Sequence, residues 1–357
     1  MWPYWILFII PAIAALASPG SKWFQVRGLS PGYLHVGWFA ALISLIIMVG
    51  FRYQVGGDWV NYFHFLYDVN GKSFVEVMQM TDPSYMLANW LSVQFDFSTI
   101  GVNVLCSILF SIGLIEFCRN LPRPWLGLTV AVPYTVIVVG MGYTRQGVAI
   151  GLAMLGFLAL KRNSTFLFVF WVVIAATFHK TAVLLLPIAV LSNTKSRFQT
   201  AIWIAVTFAV AYTLLLQESV DGLVQNYAQA QYQSEGALVR LLMNAFPAII
   251  LLWNSRKFNF SNSELSLWWW MAIISLVLLV AVSISPSSAA VDRIALYMLP
   301  LQLVVFANCP EALKSKAIDQ NFWVLIIIFY YACVLFVWLN FADNSLYWVP
   351  YKSFLFQ

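Results

Sequence analysis

The chain has 357 residues, of which 62% are hydrophobic and only 9% are charged, and its formal net charge at pH 7 is +5. Soluble globular proteins carry about 25% charged residues, so the composition excludes that class. The apolar runs are continuous rather than alternating, which excludes a membrane β-barrel. The basic residues are scattered between these runs, a pattern that does not indicate nucleic-acid binding. The sequence therefore predicts an all-α, polytopic bundle of transmembrane helices.

Hydropathy patterning predicts about twelve membrane segments, which together form a single integral membrane domain over residues 1–357. A helix needs roughly 20 apolar residues to cross the hydrocarbon core, and runs of that length or slightly shorter recur from end to end. The predicted segments, in chain order, are 2–17, 33–50, 100–118, 125–141, 145–161, 164–178, 180–191, 199–217, 237–254, 266–284, 291–308 and 321–340.

Basic residues are distributed unequally between the two sides of this bundle. If every segment crosses, alternate connections hold 12 of the 19 lysines and arginines, and the other side keeps seven basic and ten acidic residues. The side richer in Lys and Arg faces the cytoplasm under the positive-inside rule. Both termini are therefore predicted to lie outside. Merging 164–191 into one span would destroy this asymmetry.

Two connections on the outer side are long, namely residues 51–99 and 218–237. In the first, Asp82-Pro83 predicts the start of a helix, because Asp is a favoured N-cap and Pro is favoured at the first helical position. The run that follows is predicted as an amphipathic helix, with Trp90 and Phe95 suited to the membrane interface.

Several basic residues fall on the outer side, where the positive-inside rule gives no reason for them. The guanidinium group binds phosphate oxygens through two parallel N–H bonds, so arginines there suggest a shared anionic ligand. The alternative for each one is a snorkelling or salt-bridged residue at the interface, and Asp292-Arg293 in particular could pair with other charged groups. The four arginines at predicted helix ends are Arg52, Arg145, Arg240 and Arg293.

Two side chains on the outer side are candidates for proton transfer. His179 lies between two predicted segments, and imidazole is the side chain best matched to general-base work near neutral pH. Asp58 follows Gly56-Gly57, glycines that allow a tight turn and a close backbone approach. Its carboxylate could accept a proton or bind a sugar hydroxyl. The plainer alternatives are a helix N-cap for Asp58 and a buried turn histidine for His179.

Motifs for metal or nucleotide chemistry are missing from the sequence. It contains no HExxH, no DxD pair and no GxSxG, and its four cysteines have no CxxC spacing. Gly71-Lys72-Ser73 resembles the end of a phosphate loop, but position 66 is Leu and no strand precedes it. We therefore predict neither a metal ion nor a cofactor.

The motifs along the chain resemble those of the EpsG-like group of Wzy-type polysaccharide polymerases, membrane glycosyltransferases of the GT-C class. Their order and spacing match over nearly the whole length. Asp82 stands where that family more often has Glu. The matching pieces are Arg52 with Val55-Gly56-Gly57-Asp58-Trp59 and Tyr62, Asp82-Pro83-Ser84-Tyr85, Tyr143-Thr144-Arg145-Gln146, Phe178-His179-Lys180-Thr181-Ala182, Asp292-Arg293 with Tyr297, and Trp348 with Pro350-Tyr351-Lys352.

The resemblance implies a GT-C-like fold in the bacterial inner membrane, with an active site facing the periplasm. It implies polymerisation of undecaprenyl-diphosphate-linked repeat units into O-antigen or exopolysaccharide without a metal. Membrane lipid and a chain-length regulator protein are the further candidate partners. The resemblance also implies that the four arginines bind the diphosphate and that either His179 or Asp58 acts as the general base. The residues expected to contact substrate are Tyr62, Tyr143, Gln146, Lys180, Asp82 and Asp292.

Two other functions remain open from the sequence. A glycan-modifying membrane acyltransferase would also use a histidine within a helical bundle, but in an early span facing a cytoplasmic donor. A flippase or transporter of lipid-linked sugars would show internal symmetry, with charges lining both halves of a pore. The sequence shows no internal repeat, and its unexpected charges fall on one side of the bundle rather than along both halves of a pore.

Overall fold

The computed structural model describes residues 1–18, 31–192, 197–211, 234, 236–285, 287–315 and 319–356. Over these residues the regular secondary structure is helical, apart from one isolated antiparallel bridge between Arg52 and Ser353. The helices of the first half are α1 (Trp2–Ala17), α2 (Pro31–Gly50), α3 (Trp59–Val69), α4 (Phe74–Met78), α5 (Pro83–Gln94), α6 (Ser98–Arg119), α7 (Pro124–Ala131, continued as a π-helix over Val132–Gly140) and α8 (Thr144–Lys161).

The second half continues the same helical pattern. Residues 212–233 and 235, most of the predicted outer loop 218–237, lie outside the described residues. The helices here are α9 (Thr165–Phe178), α10 (Leu186–Ser192, entered through a 3₁₀ turn over Lys180–Leu185), α11 (Arg197–Ala211), α12 (Ala237–Asn254), α13 (Asn262–Ile284), α14 (Ser288–Ala295), α15 (Leu299–Ala312) and α16 (Gln320–Phe341).

The lengths and apolar composition of these helices identify a multi-pass membrane protein. A helix is found at each of the twelve predicted positions, but that all twelve cross the membrane stays a prediction. Among the described residues, the helical stretches both long and apolar enough to cross are five, namely Ser98–Arg119, Ala237–Lys257, Asn262–Ile284, Ser288–Ala312 and Gln320–Phe341. The shorter apolar ones are Trp2–Ala17, Val36–Gly50, Pro124–Gly140, Thr165–Phe178 and Lys180–Ser192.

One set of connections meets at an end of the bundle that we call the Arg145 end. It contains residues 51–58, 82, 142–145, 179–180 and 293 and the C-terminal segment 348–353. The Tyr62 hydroxyl donates to the carbonyl of Gly142 (2.9 Å), and the amide of Phe354 donates to the carbonyl of Phe51 (2.9 Å). These contacts join connections that the alternation of segments predicted to share one side.

A second set of connections meets at the other end, which we call the Arg123 end. It contains residues 119–124, 161–163, 255–264, 309–315 and 319–320. Arg123 Nε lies 3.1 Å from Glu311 Oε1, and Lys161 Nζ lies 2.9 Å from Glu264 Oε1. These residues belong to the side that the sequence predicted as cytoplasmic. The contacts therefore group the connections as predicted, whereas the membrane face of each end stays a prediction.

Helix α5 begins at Pro83, as the sequence predicted, with Asp82 at the N-cap position. The prediction of a simple amphipathic helix was less accurate. Asn89 and Ser92 are buried, whereas Leu91 is exposed. Because α5 packs against α3 and α6 in the folded chain, its buried face is set by those neighbours rather than by the sequence pattern.

Close backbone packing positions the first residues of the Arg145 end. Gly56 has a φ of +112°, and a side chain there would collide with the carbonyl of Met141. The C-terminal segment reinforces this packing, since Trp348 Nε1 donates to the carbonyl of Ile137 (2.8 Å) and Tyr4 Oη donates to that of Trp348 (2.6 Å). The tight approach that the sequence predicted at Gly56 is confirmed.

Candidate active site at the Arg145 end

Asp82 lies at the centre of the charged cluster. It occupies the N-cap position of α5, but its carboxylate makes no capping bond, and its backbone is left-handed (φ 56°, ψ 59°). Instead, Asp82 Oδ2 accepts from Arg145 Nη1 (2.9 Å) and Oδ1 accepts from the backbone N–H of Lys180 (3.1 Å). A buried carboxylate that leaves its local cap for two distant elements is held there by tertiary contacts. Left-handed residues other than Gly often mark functional positions.

Arg145 is in the first turn of α8, where its cation faces Asp82. Its guanidinium carbon lies 4.6 Å from the ring centroid of Phe65 and 5.6 Å from that of Tyr85, which are cation–π distances. The side chain is still 30% exposed. Arg145 is therefore oriented by two rings and a carboxylate while part of its surface remains open to a ligand.

His179 ends α9 in an extended conformation and is only 6% exposed. Its Nδ1 lies 4.0 Å from Asp82 Oδ2, which is too long for a hydrogen bond. Neither ring nitrogen has a hydrogen-bond partner within the part of the chain that the structure describes. Buried polar groups usually have a hydrogen-bond partner, so the imidazole is a candidate for contact with substrate.

The ionisation of this pair follows from burial and charge. Burial lowers the pKa of His179, and the nearby cations Arg145 and Arg293 lower it further, against the opposing effect of Asp82. For Asp82, burial would raise the pKa, but His179, Arg145 and the Lys180 amide together lower it below its ordinary value. At neutral pH the pair is therefore a neutral imidazole beside a carboxylate, which leaves the imidazole able to accept a proton.

Asp58 lies at the N-cap position of α3, also without a capping bond from its side chain. Its nearest polar contact is weak, with Asn61 Nδ2 3.4 Å from its Oδ1. Burial raises the pKa of Asp58, while Arg293 and Arg145 act in the opposite direction. Asp58 thus shares the electrostatic field of the cluster, and both proton-transfer candidates from the sequence are found at this end of the bundle.

Arg240 and Asp292 form a separate two-pronged ion pair. Arg240 Nε and Nη2 each lie 2.7 Å from a carboxylate oxygen of Asp292. Ser234 Oγ also donates to Asp292 (3.0 Å). The pairing that the sequence left as an alternative for Asp292 is therefore present, with Arg240 as its partner. A diphosphate role for Arg240 stays a prediction, and this pairing does not favour it.

Arg293 follows Asp292 and adds its positive charge to the cluster. Its charge acts on Asp58, on His179 and on Tyr143. Its backbone carbonyl accepts a hydrogen bond from Gln146 Nε2 (2.5 Å), which ties α14 to the start of α8. Arg293 is therefore the second arginine, with Arg145, whose charge reaches both proton-transfer candidates.

Arg52 has a different environment from Arg145. It is fully buried, and its Nη2 donates to Asn103 Oδ1 (3.0 Å) and Thr144 Oγ1 (2.6 Å). Its Nη1 and Nε donate to the carbonyls of Val49 and Val55. These contacts hold the turn at 49–55 against α6 and α8. Direct contact of Arg52 with a diphosphate stays a prediction, but the contacts favour a supporting role.

Some of the predicted substrate-contact residues are buried and hydrogen-bonded within the protein, whereas others are partly exposed. The Tyr62 hydroxyl is buried and bonded on both sides, since it also accepts from the amide of Thr144 (3.0 Å), and Gln146 is buried against Arg293. Tyr143 and Lys180 remain partly exposed. Burial, followed by the negative charge of Asp292, raises the pKa of Tyr143, so it stays a neutral hydrogen-bonding group.

Two contributors to the cluster were missed by the sequence reasoning. Phe65 and Tyr85 hold Arg145 in place, as described above. Tyr85 falls within the quoted motif Asp82-Pro83-Ser84-Tyr85, so a signal for it was present. Phe65 had no signal, because its role depends on how α3 packs against α5.

The arrangement of the described side chains does not support a metal site. Over the described ranges, no group of three or more His, Cys, Asp and Glu side chains is arranged to hold a metal ion. Whether the protein works without a metal stays a prediction.

The fold and the cluster together define a multi-pass membrane protein with a cluster of buried charges at the Arg145 end of its helical bundle. Residues 35–353 match the model of the EpsG family, and the chain therefore belongs to the EpsG family. This confirms the resemblance seen in the motifs. Searches among curated proteins and among solved structures found no match.

Proposed function

We propose that this chain is a membrane glycosyltransferase that polymerises lipid-diphosphate-linked oligosaccharide repeat units, as the EpsG-like polymerases resembled by its motifs would imply. The observation that carries the proposal is the meeting of Arg145, Asp82 and His179 from three separate helix ends, within 4.0 Å at each contact. This places a cation able to bind phosphate beside an unpartnered imidazole.

The start of α8 suits an anionic leaving group. A helix N-terminus favours negative charge through its free N–H groups and its dipole, and Arg145 adds a guanidinium in the first turn. Arg293 contributes a second positive charge to the same field. Two such groups stabilise the charge that develops on a departing diphosphate without protonating it.

The reaction needs one proton acceptor. The oxygen of an acceptor sugar hydroxyl attacks the anomeric carbon, the bond from that carbon to the diphosphate oxygen breaks, and its electron pair leaves with the lipid diphosphate. The hydroxyl proton passes to His179, which is neutral at working pH. Asp58 is assigned to hold a sugar hydroxyl, and it remains the alternative base. Partly exposed Tyr143 and Lys180 are assigned to substrate contacts.

The Arg145 end is assigned to the periplasmic face. The side of the chain that holds it has seven of the 19 basic residues, whereas the Arg123 side has the other 12. The positive-inside rule places the more basic side in the cytoplasm. This is also the face at which lipid-linked repeat units are joined by the polymerases that the chain resembles.

Gel analysis of surface polysaccharide from a strain that lacks the chain tests the proposal. We expect single repeat units attached to the acceptor lipid, without longer chains, and restoration of the ladder when the gene is returned. Absence of any transferred repeat unit would instead indicate the flippase alternative. A normal ladder would overturn both assignments.

A further inference from the structure

One oxygen atom of Asp82 faces two possible partners. Its Oδ2 accepts from Arg145 Nη1 at 2.9 Å, and the same Oδ2 lies 4.0 Å from His179 Nδ1. The other oxygen, Oδ1, is already bonded to the amide of Lys180. The carboxylate is thereby fixed in orientation, with one oxygen turned toward both side chains and bonded to only one of them.

The hydrogen bonding of the His179 imidazole is incomplete. His179 is almost fully buried, and neither of its ring nitrogens has a partner among the described residues. An unmade hydrogen bond at a buried polar atom is unfavourable, which indicates a second state in which the bond forms. The charged groups that face His179 are Asp82 before α5, Arg145 on α8 and Arg293 on α14.

Arg145 is the partner that can leave. It contacts Asp82 through Nη1, its side chain is 30% exposed, and Phe65 lies against its guanidinium. An anion at the start of α8 offers this guanidinium a two-pronged bond that it does not have now. Departure of Arg145 would free Oδ2, and a shift of about 1 Å would bring His179 Nδ1 within hydrogen-bond range.

We infer that Arg145 and His179 compete for Oδ2 of Asp82, and that a diphosphate which draws Arg145 away completes an Asp82–His179 dyad. Asp82 is then a positioning residue. It accepts the Nδ1–H of His179, fixes that tautomer and leaves the Nε2 lone pair for the proton of the attacking hydroxyl. The inference rests on the proposed function, since it links leaving-group binding to readiness of the base.

The test uses the full-length protein in lipid nanodiscs with ¹⁵N-labelled histidine. The chain has three histidines, so the background substitutions His35→Gln and His64→Gln leave His179 as the only reporter. Inorganic diphosphate is the probe. We expect saturating diphosphate to shift the ¹⁵N spectrum toward the Nδ1–H tautomer and to raise the pKa of His179, because Asp82 then faces the imidazole without Arg145 between them.

Two variants separate the dyad from a simple charge effect. Arg145→Gln should raise the pKa of His179 and favour the Nδ1–H tautomer without any ligand. In the double variant Asp82→Asn/Arg145→Gln, most of that change should disappear. An unchanged spectrum in Arg145→Gln, or an equal change in the double variant, would overturn the inference. Should the double variant fail to fold, the tautomer in Arg145→Gln alone decides, because removing a positive charge raises the pKa of His179 but does not by itself select the Nδ1–H tautomer.

Failure of this inference is distinguishable from failure of the proposed function. The spectra report on the dyad whether or not the protein polymerises sugars, and the polysaccharide ladder reports on polymerisation whether or not the dyad forms. If the protein restores a normal polysaccharide ladder but the ¹⁵N spectrum of His179 does not respond to diphosphate, the dyad is wrong and the polymerase assignment stands.

Discussion

The two ends of the helical bundle use charged residues in different ways. At the Arg123 end, each described ion pair keeps one side chain at least 35% exposed. Arg119 and Glu116 are 38% and 41% exposed, Lys161 is 37% exposed beside Glu264 at 14%, and Glu311 is 35% exposed beside the buried Arg123 at 5%. At the Arg145 end, Asp82 and Asp292 are 2% and 6% exposed. Exposed pairs contribute about 0–1 kcal/mol each, whereas buried charges need every partner in place.

The starts of helices show the same contrast. At the Arg123 end, Ser261 and Glu264 form a complete capping box at the start of α13. At the Arg145 end, Asp82 and Asp58 occupy N-cap positions but make no capping bonds. Asp319, at the Arg123 end, also makes no capping bond at the start of α16, so Asp82 and Asp58 are set apart by the charges from several helices that converge on them. Such departures are expected at functional sites.

Labelling of single cysteines tests the assignment of the two ends to opposite membrane faces, with an all-or-none result. Cys333 is the exposed native cysteine among four, and the other three are buried, so Cys333→Ser gives the background. A membrane-impermeant maleimide should label Lys72→Cys on intact cells and Arg162→Cys only after permeabilisation. The reverse pattern would place the Arg145 end in the cytoplasm.

Replacing the base should give the largest loss of activity. We expect His179→Ala to insert normally and to lose about 10²- to 10⁴-fold in rate, the usual contribution of a positioned general base. Asp58→Asn should lose less, because Asp58 is assigned to hold a sugar. Turnover of purified variants with lipid-linked repeat units measures both. A dead Asp58→Asn beside an active His179→Ala would exchange the two roles.

Arg145→Lys should keep the charge and lose about 10- to 100-fold in activity, since a charged hydrogen bond contributes about 1.5–3 kcal/mol and Lys cannot form the two-pronged contact. The matched control is Arg119→Lys at the Arg123 end, which should retain full activity. Initial rates at equal expression give the comparison. Normal polymerisation by Arg145→Lys would move the diphosphate site elsewhere.

Arg52→Lys should mainly lower the stability of the protein, because Arg52 is assigned a supporting role. It leaves buried acceptors of Arg52 unpaired at about 1–3 kcal/mol each, so thermal unfolding in detergent should occur at a clearly lower temperature. Arg123→Lys is the matched control, because Arg123 is also buried but its partner Glu311 is 35% exposed, and water can replace the lost bond. A stable but inactive Arg52→Lys would restore Arg52 as a direct diphosphate ligand.

Lys161→Gln should give the smallest effect of the series. It breaks a partly exposed pair at the Arg123 end, and we expect no more than about 1 kcal/mol of lost stability and unchanged turnover. The same detergent unfolding assay measures it. A loss as large as that of Arg52→Lys would contradict the contrast between the ends.

Helix positions were the most predictable part of the structure. The predicted segments 2–17, 237–254 and 321–340 correspond to α1, α12 and α16 almost residue for residue, because apolar runs of membrane length are a strong local signal. The grouping of connections at two ends also followed from the alternation of segments. The start of α5 at Pro83 followed from local backbone preference.

The roles of individual arginines were not predictable. Arg52, Arg145 and Arg240 all lie at helix ends and look alike in the sequence, yet one is fully buried, one faces two aromatic rings and one is paired with Asp292. Burial and pairing of a side chain depend on residues far away in the chain, such as Asn103 for Arg52. No local pattern reports on them.

The sequence by itself therefore determined the class of protein, the order of its helices, the family motifs and the residues able to carry charge. Hydrophobicity and backbone preference act over neighbouring residues, so these properties can be read along the chain. Only the tertiary structure decided that Asp82, from the start of α5, faces both Arg145 and His179. That meeting depends on the packing of α3, α5, α8 and α9. It brings Asp82 to Arg145, 63 positions further along the chain, and to the backbone amide of Lys180 beside His179, 98 positions further along.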